Sequence, residues 1–502
     1  VGINTNVYLT LNATNITASN NKSISLNGGA FYLSQGRYTL TNAVFENNIA
    51  GYNGGAIYVW NQYGGNSLTI NGNSSFAGNT ANNFGGAVQF ESNNQYRTGA
   101  DGNLEYYRGE LNIIGTADNP IVFSNNTAKN YSGGALCIGA HNTDTLDYLD
   151  VHDNTAQRYG GGIYINNSIT EGTLTNSKIH NNTTSWAGGG VDIHNYLDYQ
   201  ETKVNNATVI TRTGRPGDFT IRDCEITDNS TTGTDGNCIG GGGISITSDL
   251  RRSELYKEDS GTVNIINTVV EDNTTTLAGG GIYCGYNGTN NISGGSISNN
   301  TSGTAATTAI DATNKYKYSG GAVAVRNNTT TIKDGTLITG NTSGVDGGAL
   351  YVKNADSRVL PASLTTEDCE IKNNTAKKGG IAYICAGASF AMGEKTFPDS
   401  NEGVGDVFVE KNAGKVTLPA AKQLKGEYDA WLMDNTPPAL ETDIANDSNA
   451  EHYYTLQGAA RFVARLNGLL GSWTGTKYTT LQAALDEAAK KTGTASIDLL
   501  AD

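Results

Sequence analysis

The side chains best suited to chemistry lie in three long stretches that break the regular pattern of this 502-residue sequence, at 91–117, 195–219 and 247–262. The first holds Tyr96, Arg97, Tyr106, Tyr107 and Arg108; the second Tyr196, Tyr199, Arg212 and Arg215; the third Arg251, Arg252, Tyr256 and Lys257. A tyrosine presents an apolar ring with a hydroxyl at its tip, and a guanidinium presents a planar fork of donors. Together they suit sugar rings and the carboxylates or sulfates attached to them. Asp198, Glu201, Asp249 and Glu254 fall in or beside the same stretches, and paired carboxylates are what glycoside hydrolysis needs. His152 and His180, with Asp153 adjacent, are the candidate metal ligands. Asp153, Asp228 and Asp272 form a second set of hard oxygens suited to calcium, interrupted by Asn181.

One motif recurs around these stretches. An apolar residue is followed three positions later by Asn, then usually Thr, then a Gly-Gly pair, then an alternating strand. The Asn column reads Asn48, Asn79, Asn126, Asn154, Asn182, Asn229, Asn273, Asn300, Asn341 and Asn374, and the residue three before each is Phe, Val or Ile. Glycine pairs begin at Gly28, Gly54, Gly85, Gly133, Gly160, Gly188, Gly241, Gly279, Gly320, Gly347 and Gly379. Strands such as Ile57-Tyr58-Val59 and Ile163-Tyr164-Ile165 alternate with period two, so one face is buried. No single repeat can bury that face alone. Stacked repeats bury it continuously, which predicts an all-β, right-handed, single-stranded parallel β-helix of about a dozen coils over residues 1–420. Gly and Asn are then structural, with glycine supplying positive φ at a corner and Asn tolerating the left-handed region while bonding coil to coil.

The repeat places the candidate residues. Three of the insertions leave the corner after the Gly-Gly strand and so share one edge of the rod, whereas 302–318 leaves the corner before it. The position between the two inward apolar residues points outward and carries Tyr32, Tyr58, Tyr164, Tyr283, Tyr351 and Tyr383, a tyrosine stripe expected to be exposed. His152 and His180 occupy one outward column and should stack in neighbouring coils.

Gly54-Gly55-Ala56-Ile57, Gly85-Gly86-Ala87-Val88, Gly133-Gly134-Ala135-Leu136 and Gly347-Gly348-Ala349-Leu350, with Phe45-Asn48, Phe76-Asn79 and Phe123-Asn126, resemble the GGA[ILV] and FxxN repeats of chlamydial polymorphic outer membrane proteins and related adhesin-like β-helix proteins. The resemblance covers roughly residues 20–410. Later repeats use Ile or Val where that family favours Phe. The resemblance implies an extracellular, cell-surface location and an adhesive role.

Composition narrows the partners. A formal charge of −15 disfavours nucleic acid and anionic membranes, and no apolar run is long enough to insert in a bilayer. The expected partner is a glycan or a host or cell-surface protein, and no cofactor is expected apart from the calcium alternative. The six cysteines form no CxxC pair. Cys224 with Cys238 and Cys369 with Cys385 are spaced for local disulfides, or all are buried thiols.

Residues 421–470, with Pro437-Pro438 and Trp431, read as an irregular C-terminal cap. Residues 471–502 read as a strand–helix–strand start of a further module, with a capping box at Thr479-Thr480-Leu481-Gln482, a helical stripe of Leu481, Ala484, Leu485 and Ala488 and an end at Gly493, and suggest that the natural surface polypeptide continues.

Parallel β-helices also carry polysaccharide lyases and glycoside hydrolases, so a carbohydrate-active enzyme is the alternative to a binding module. Against it, His141-Asn142-Thr143-Asp144 lacks the Asp-Asp, His-Gly and Arg-x-Lys companions of a polygalacturonase-like site, and GxSxG and HExxH motifs are absent. No catalytic residue is assigned.

Overall fold

The computed structural model describes residues 2–3 and 9–417 except 62–64, 93–95, 99–103, 107, 141, 167–170, 196–198, 205–206, 213–216, 235–238, 249–260, 287, 305–316, 355–359, 394, 400, 405, 411–412 and 414–415. Beyond 417 it describes strands at His452–Tyr454, Phe462–Asn467, Lys477–Tyr478 and Thr494–Leu499. Each coil contributes one strand to each of four sheets, here called A, B, C and D in chain order. One complete coil runs Phe31–Ser34, Gly36–Thr41, Val44–Glu46 and Ile49–Ala50. Every strand pairs in parallel with its counterparts in the coils before and after, giving sheets of 14, 13, 12 and 12 strands. Sheet A ends on an antiparallel strand, His452–Tyr454. The chain is therefore a parallel β-helix.

Alternation within each strand fills the interior. Leu68 and Ile70 of sheet B and Phe76 of sheet C are fully buried, while Thr69 between the first two is half-exposed. The apolar residue of the motif becomes a column through the core. Phe45, Phe76 and Phe123 stack at 5.0 and 4.7 Å, and Val151, Ile179 and Ile226 continue the column.

The C–D corner is built from two residues. The first takes positive φ and is Asn, Asp or Gly, as at Asn47, Gly78, Asn125 and Asp153. The second is the motif Asn, fully buried. The left-handed residue is thus the one before the motif Asn. This corrects the sequence expectation and explains the Asp153, Asn181, Asp228, Asp272 column without a metal, because short polar side chains tolerate that region. The motif Asn instead forms a ladder. Asn48 donates its backbone N–H and its Nδ2 to Asn79 Oδ1 at 3.0 and 2.9 Å, and its Nδ2 also reaches Ala18 O. The pattern continues without interruption from Asn21 to Asn401, one rung beyond the motif column at each end.

The two glycines of each pair serve different purposes. Gly54 has φ +62°, whereas a Cβ on Gly55 would lie 1.9 Å from the carbonyl oxygen of Gly86 in the next coil. Positive φ accounts for the first and close coil contact for the second.

Among the described residues, the long insertions leave the corners expected. Sheet A strands end at Ser92 and Asn195, and sheet B resumes at Gly109 and Phe219. In both gaps the chain forms an antiparallel hairpin, with Tyr96 opposite Tyr106 in one and Tyr199 opposite Arg212 in the other. The expected helix near 480–488 lies outside the described residues. Phe462–Asn467 pairs antiparallel with both Lys477–Tyr478 and Thr494–Leu499, so a single sheet spans residue 470.

Candidate functional site

The tyrosine stripe is where the sequence reading and the structure part. Tyr58, Tyr283, Tyr351 and Tyr383 are buried on the outer face of sheet A, and Tyr32 and Tyr164 are half-buried. These side chains do point away from the helix interior, as alternation requires, but that face is covered by its own neighbours. Tyr351 stacks on Tyr383 at 5.6 Å, and Tyr383 on Phe408 at 4.9 Å. With Tyr283, Ala278, Ala324 and Cys385 they form a second apolar cluster outside the main core. The stripe is a packing element there and not an exposed contact surface.

Two polar groups interrupt this layer. At one, Glu91 accepts hydrogen bonds from Tyr58 Oη at 2.8 Å and Gln89 Nε2 at 3.2 Å, with Trp60 on the adjacent strand. Burial raises the Glu91 pKa, and the Tyr58 hydrogen bond offsets part of that rise. At the other, Asp192 and His194 lie on one strand opposite Ser245 and Thr247. His194 Nδ1 is 2.9 Å from Thr247 Oγ1. Asp192 is fully buried with neither carboxylate oxygen hydrogen-bonded. Ser245 Oγ stands near enough to temper its raised pKa but falls short of bonding geometry.

The sequence reading missed a ladder at the D–A corner. Phe84 and Tyr131 stack at 4.7 Å, and the Arg158 guanidinium lies 4.0 Å from the Tyr131 ring centre and 4.7 Å from that of Trp186. Trp186 meets Tyr159 edge-on at 5.5 Å, and Tyr159 approaches His194. Tyr131, Arg158 and Trp186 are the residues two before their Gly-Gly pairs, so aligning on that offset would have revealed them. Arg158 occupies the space between the Tyr131 and Trp186 faces, which makes this ladder self-contained rather than a platform for a sugar.

The A–B corner offers open space. A groove of about 590 Å³ there is lined by Arg37, Gly65, Asn66, Ser67, Arg108, Gly109, Glu110 and Thr143. It lies where the first hairpin rejoins sheet B. Arg108, from the sequence-predicted set, is exposed and pairs with Glu171 at 3.5 Å. Tyr107, Tyr196, Arg215, Arg251, Arg252, Tyr256 and Lys257 lie outside the described residues, as do Asp198, Asp249 and Glu254. Tyr96, Arg97, Tyr106, Tyr199, Glu201 and Arg212 are placed on hairpin strands by their backbone alone.

The predicted histidine stack exists. His152 and His180 rings lie 5.1 Å apart, yet His152 Nδ1 turns to Asp153 at 2.7 Å and His180 Nε2 to Asp150 at 3.0 Å. Each imidazole is engaged by a separate carboxylate. Among the described residues no three His, Cys, Asp or Glu side chains converge as a metal site requires. The Cys369–Cys385 disulfide is overturned: both are buried free thiols, with Cys369 Sγ donating to Ile332 O and Cys385 Sγ to Tyr351 Oη. Cys224 is likewise a buried free thiol, its pKa pushed up to about 12 chiefly by burial, and Cys238 lies outside the described residues.

Three stretches of the chain, 42–59, 120–139 and 335–353, match the model of the Chlamydia polymorphic membrane protein repeat. Each runs from a sheet C strand through a C–D corner and the following Gly-Gly pair into a sheet A strand. No curated protein and no solved structure matches the chain. The chain is thus a parallel-strand solenoid, three stretches of which are similar to the Chlamydia polymorphic membrane protein repeat.

Proposed function

From a solenoid that carries these repeats, we infer a cell-surface binding module of adhesin type whose ligand site lies along the A–B corner. The observation that carries this reading is the meeting of the 590 Å³ groove with the base of a hairpin on the corner from which the second hairpin also projects. Rigid sheets below and variable loops above are the usual arrangement for recognition. Under this reading Arg108 and Arg37 border the site, and Tyr96, Arg97, Tyr106, Tyr199 and Arg212 are contributed by the hairpins. The proposed ligand is a glycan, because tyrosine and arginine suit sugar rings and their anionic substituents.

The test is a glycan array probed with the full chain and with a variant in which residues 96–106 are replaced by a short turn. Specific binding lost in the variant supports the reading, and product analysis of each bound glycan would expose hydrolysis. Binding that survives loss of the hairpin, or an array with no hits, counts against a glycan site at this corner.

A further inference from the structure

The chemistry of the groove narrows the ligand further. Arg37, Ser67, Glu110 and Thr143 stand in register on four successive strands of sheet B and face outward. Three steps of strand spacing place Arg37 and Thr143 about 14 Å apart along the rod. That is the length of a short oligosaccharide rather than one sugar. The floor is braced: buried Asn66 accepts a hydrogen bond from Gly36 N at 3.0 Å and donates to Trp60 O at 3.0 Å. A floor held in this way spends little binding energy on ordering its backbone.

The charges are specific. Arg37 is exposed and makes no hydrogen bond or ion pair with any described residue. Among the described residues the Arg108 guanidinium has one ion-pair partner, the exposed Glu171 carboxylate at 3.5 Å, which a better-placed anion would displace. Glu110 lines the groove and accepts a hydrogen bond from Asn112 Nδ2 through Oε1 at 3.0 Å. With Glu171 displaced, two guanidinium groups facing Glu110 leave one net positive charge, which favours one negative charge among hydroxyls. They do not favour a polyanion, which the −15 chain would repel. A planar carboxylate matches the guanidinium fork in two-point contact.

Resting on the binding-module reading, we propose that this groove binds an oligosaccharide containing a uronic acid. The carboxylate is held between Arg37 and Arg108, and the neighbouring hydroxyls are held by Ser67, Glu110 and Thr143. The experiment is calorimetric titration of the full chain with a uronate-containing oligosaccharide, its carboxyl-reduced neutral counterpart and a sulfated analogue, repeated with Arg37→Gln and Arg108→Gln. Exposed side chains of this kind leave the fold intact, which thermal unfolding of each variant checks. The expected result is binding of the uronate form, weakened roughly tenfold or more by carboxyl reduction or by Arg37→Gln, and weakened again by added salt. Equal binding of the neutral counterpart, or unchanged affinity in both variants, overturns the uronate proposal and leaves the binding module standing. Preference for the sulfated analogue overturns it too. Binding to no glycan on the array overturns both readings.

Discussion

Two corners of the same solenoid have been built on opposite terms. At the C–D corner the link between strands is two residues long in every coil where both strands are assigned, as from Glu46 to Ile49, Ala77 to Thr80, Ser124 to Thr127 and His152 to Thr155. At the A–B corner the link runs from one residue, between Ser34 and Gly36, to more than twenty, between Asn195 and Phe219. The difference lies in where backbone and polar groups find partners. The Asn ladder ties each C–D corner to the corners above and below by hydrogen bonds inside the wall, so an inserted residue would break rungs in both directions. Among the described residues the A–B corner has only isolated bonds of this kind, such as Gly36 N to Asn66 Oδ1 and Asn290 Nδ2 to Asn328 Oδ1, and no continuous ladder, so chain can leave and return there at little cost in loop entropy. Stability is concentrated at one corner and variation at the other.

The sharpest way to break that comparison is to remove a rung. Asn182→Ala deletes the acceptor for Asn154 N and Asn154 Nδ2, and the donors to Val151 O, His180 O and Asn229 Oδ1. The two amide protons share three acceptors, so at about 1 kcal/mol for each of the two accepted bonds and each proton the expected loss is roughly 4 kcal/mol, read as a lowered denaturation midpoint. Hydrogen exchange should accelerate at the residue 154 amide, which loses its acceptor, and not at the residue 229 amide, which keeps Asn273 Oδ1. Asn21→Ala at the partly exposed end of the ladder loses only its bonds to Asn48 and Ser19, and should cost less than about 1 kcal/mol. Equal losses at the two positions would show that the ladder does not act through burial.

A second test sharpens the contrast on the A–B side, where polar groups are buried without partners. Asp144 follows that corner by two residues, faces the interior between Leu111 and Gly172, and has no hydrogen bond to either oxygen. Burial raises its pKa well above 3.8. Below the ordinary aspartate range both folded and unfolded chains carry the proton and no pH dependence arises. As pH rises past 3.8 the unfolded chain ionises first, so stability falls by up to about 1.4 kcal/mol per pH unit until the folded pKa is reached. Asp144→Asn should remove this slope and unfold at a higher midpoint than wild type at neutral pH, with little difference near pH 3. Asp192, raised by the same cause, supplies a parallel slope that Asp192→Asn should remove. A variant with an unchanged pH profile would mean that Asp144 ionises in place.

How legible was this from the residues alone? The Gly-Gly pairs, the Asn column and the apolar residue three before it were enough for the coil and the corners that carry the insertions, because each is a local steric or hydrogen-bonding demand repeated many times. The tyrosines were assigned the correct side of their strands but the wrong environment. Alternation says which way Tyr351 or Tyr383 points, and nothing in a strand's own sequence says that Phe408 and Cys385 will cover it. Arg37 was missed for a related reason. It lies in a regular strand rather than an insertion, and only the register with Ser67 and Glu110 reveals the groove it borders. The motif Asn was read as a left-handed residue because Asn tolerates that region, yet the preceding residue takes it and frees the motif Asn to bond along the ladder.

The smallest expected effect falls at the A–B corner itself. Replacing residues 199–212, one whole hairpin, by a two-residue turn keeps the flanking sheet A and sheet B strands, whose pairings to Ile163–Asn166 and Glu171–Thr175 do not involve the hairpin. The hairpin's only strand pairing is internal, between its own two strands. The expected change in unfolding midpoint therefore corresponds to less than about 1 kcal/mol, since shortening a loop alters closure entropy only slowly. Inserting the same two residues between Asn181 and Asn182 should be far more damaging, because it separates the left-handed residue from the rung it positions. If the hairpin deletion proved as costly as the insertion, the A–B corner would be a structural seam like its counterpart. Its insertions would then have to be read as supports of the wall rather than as surfaces for a ligand.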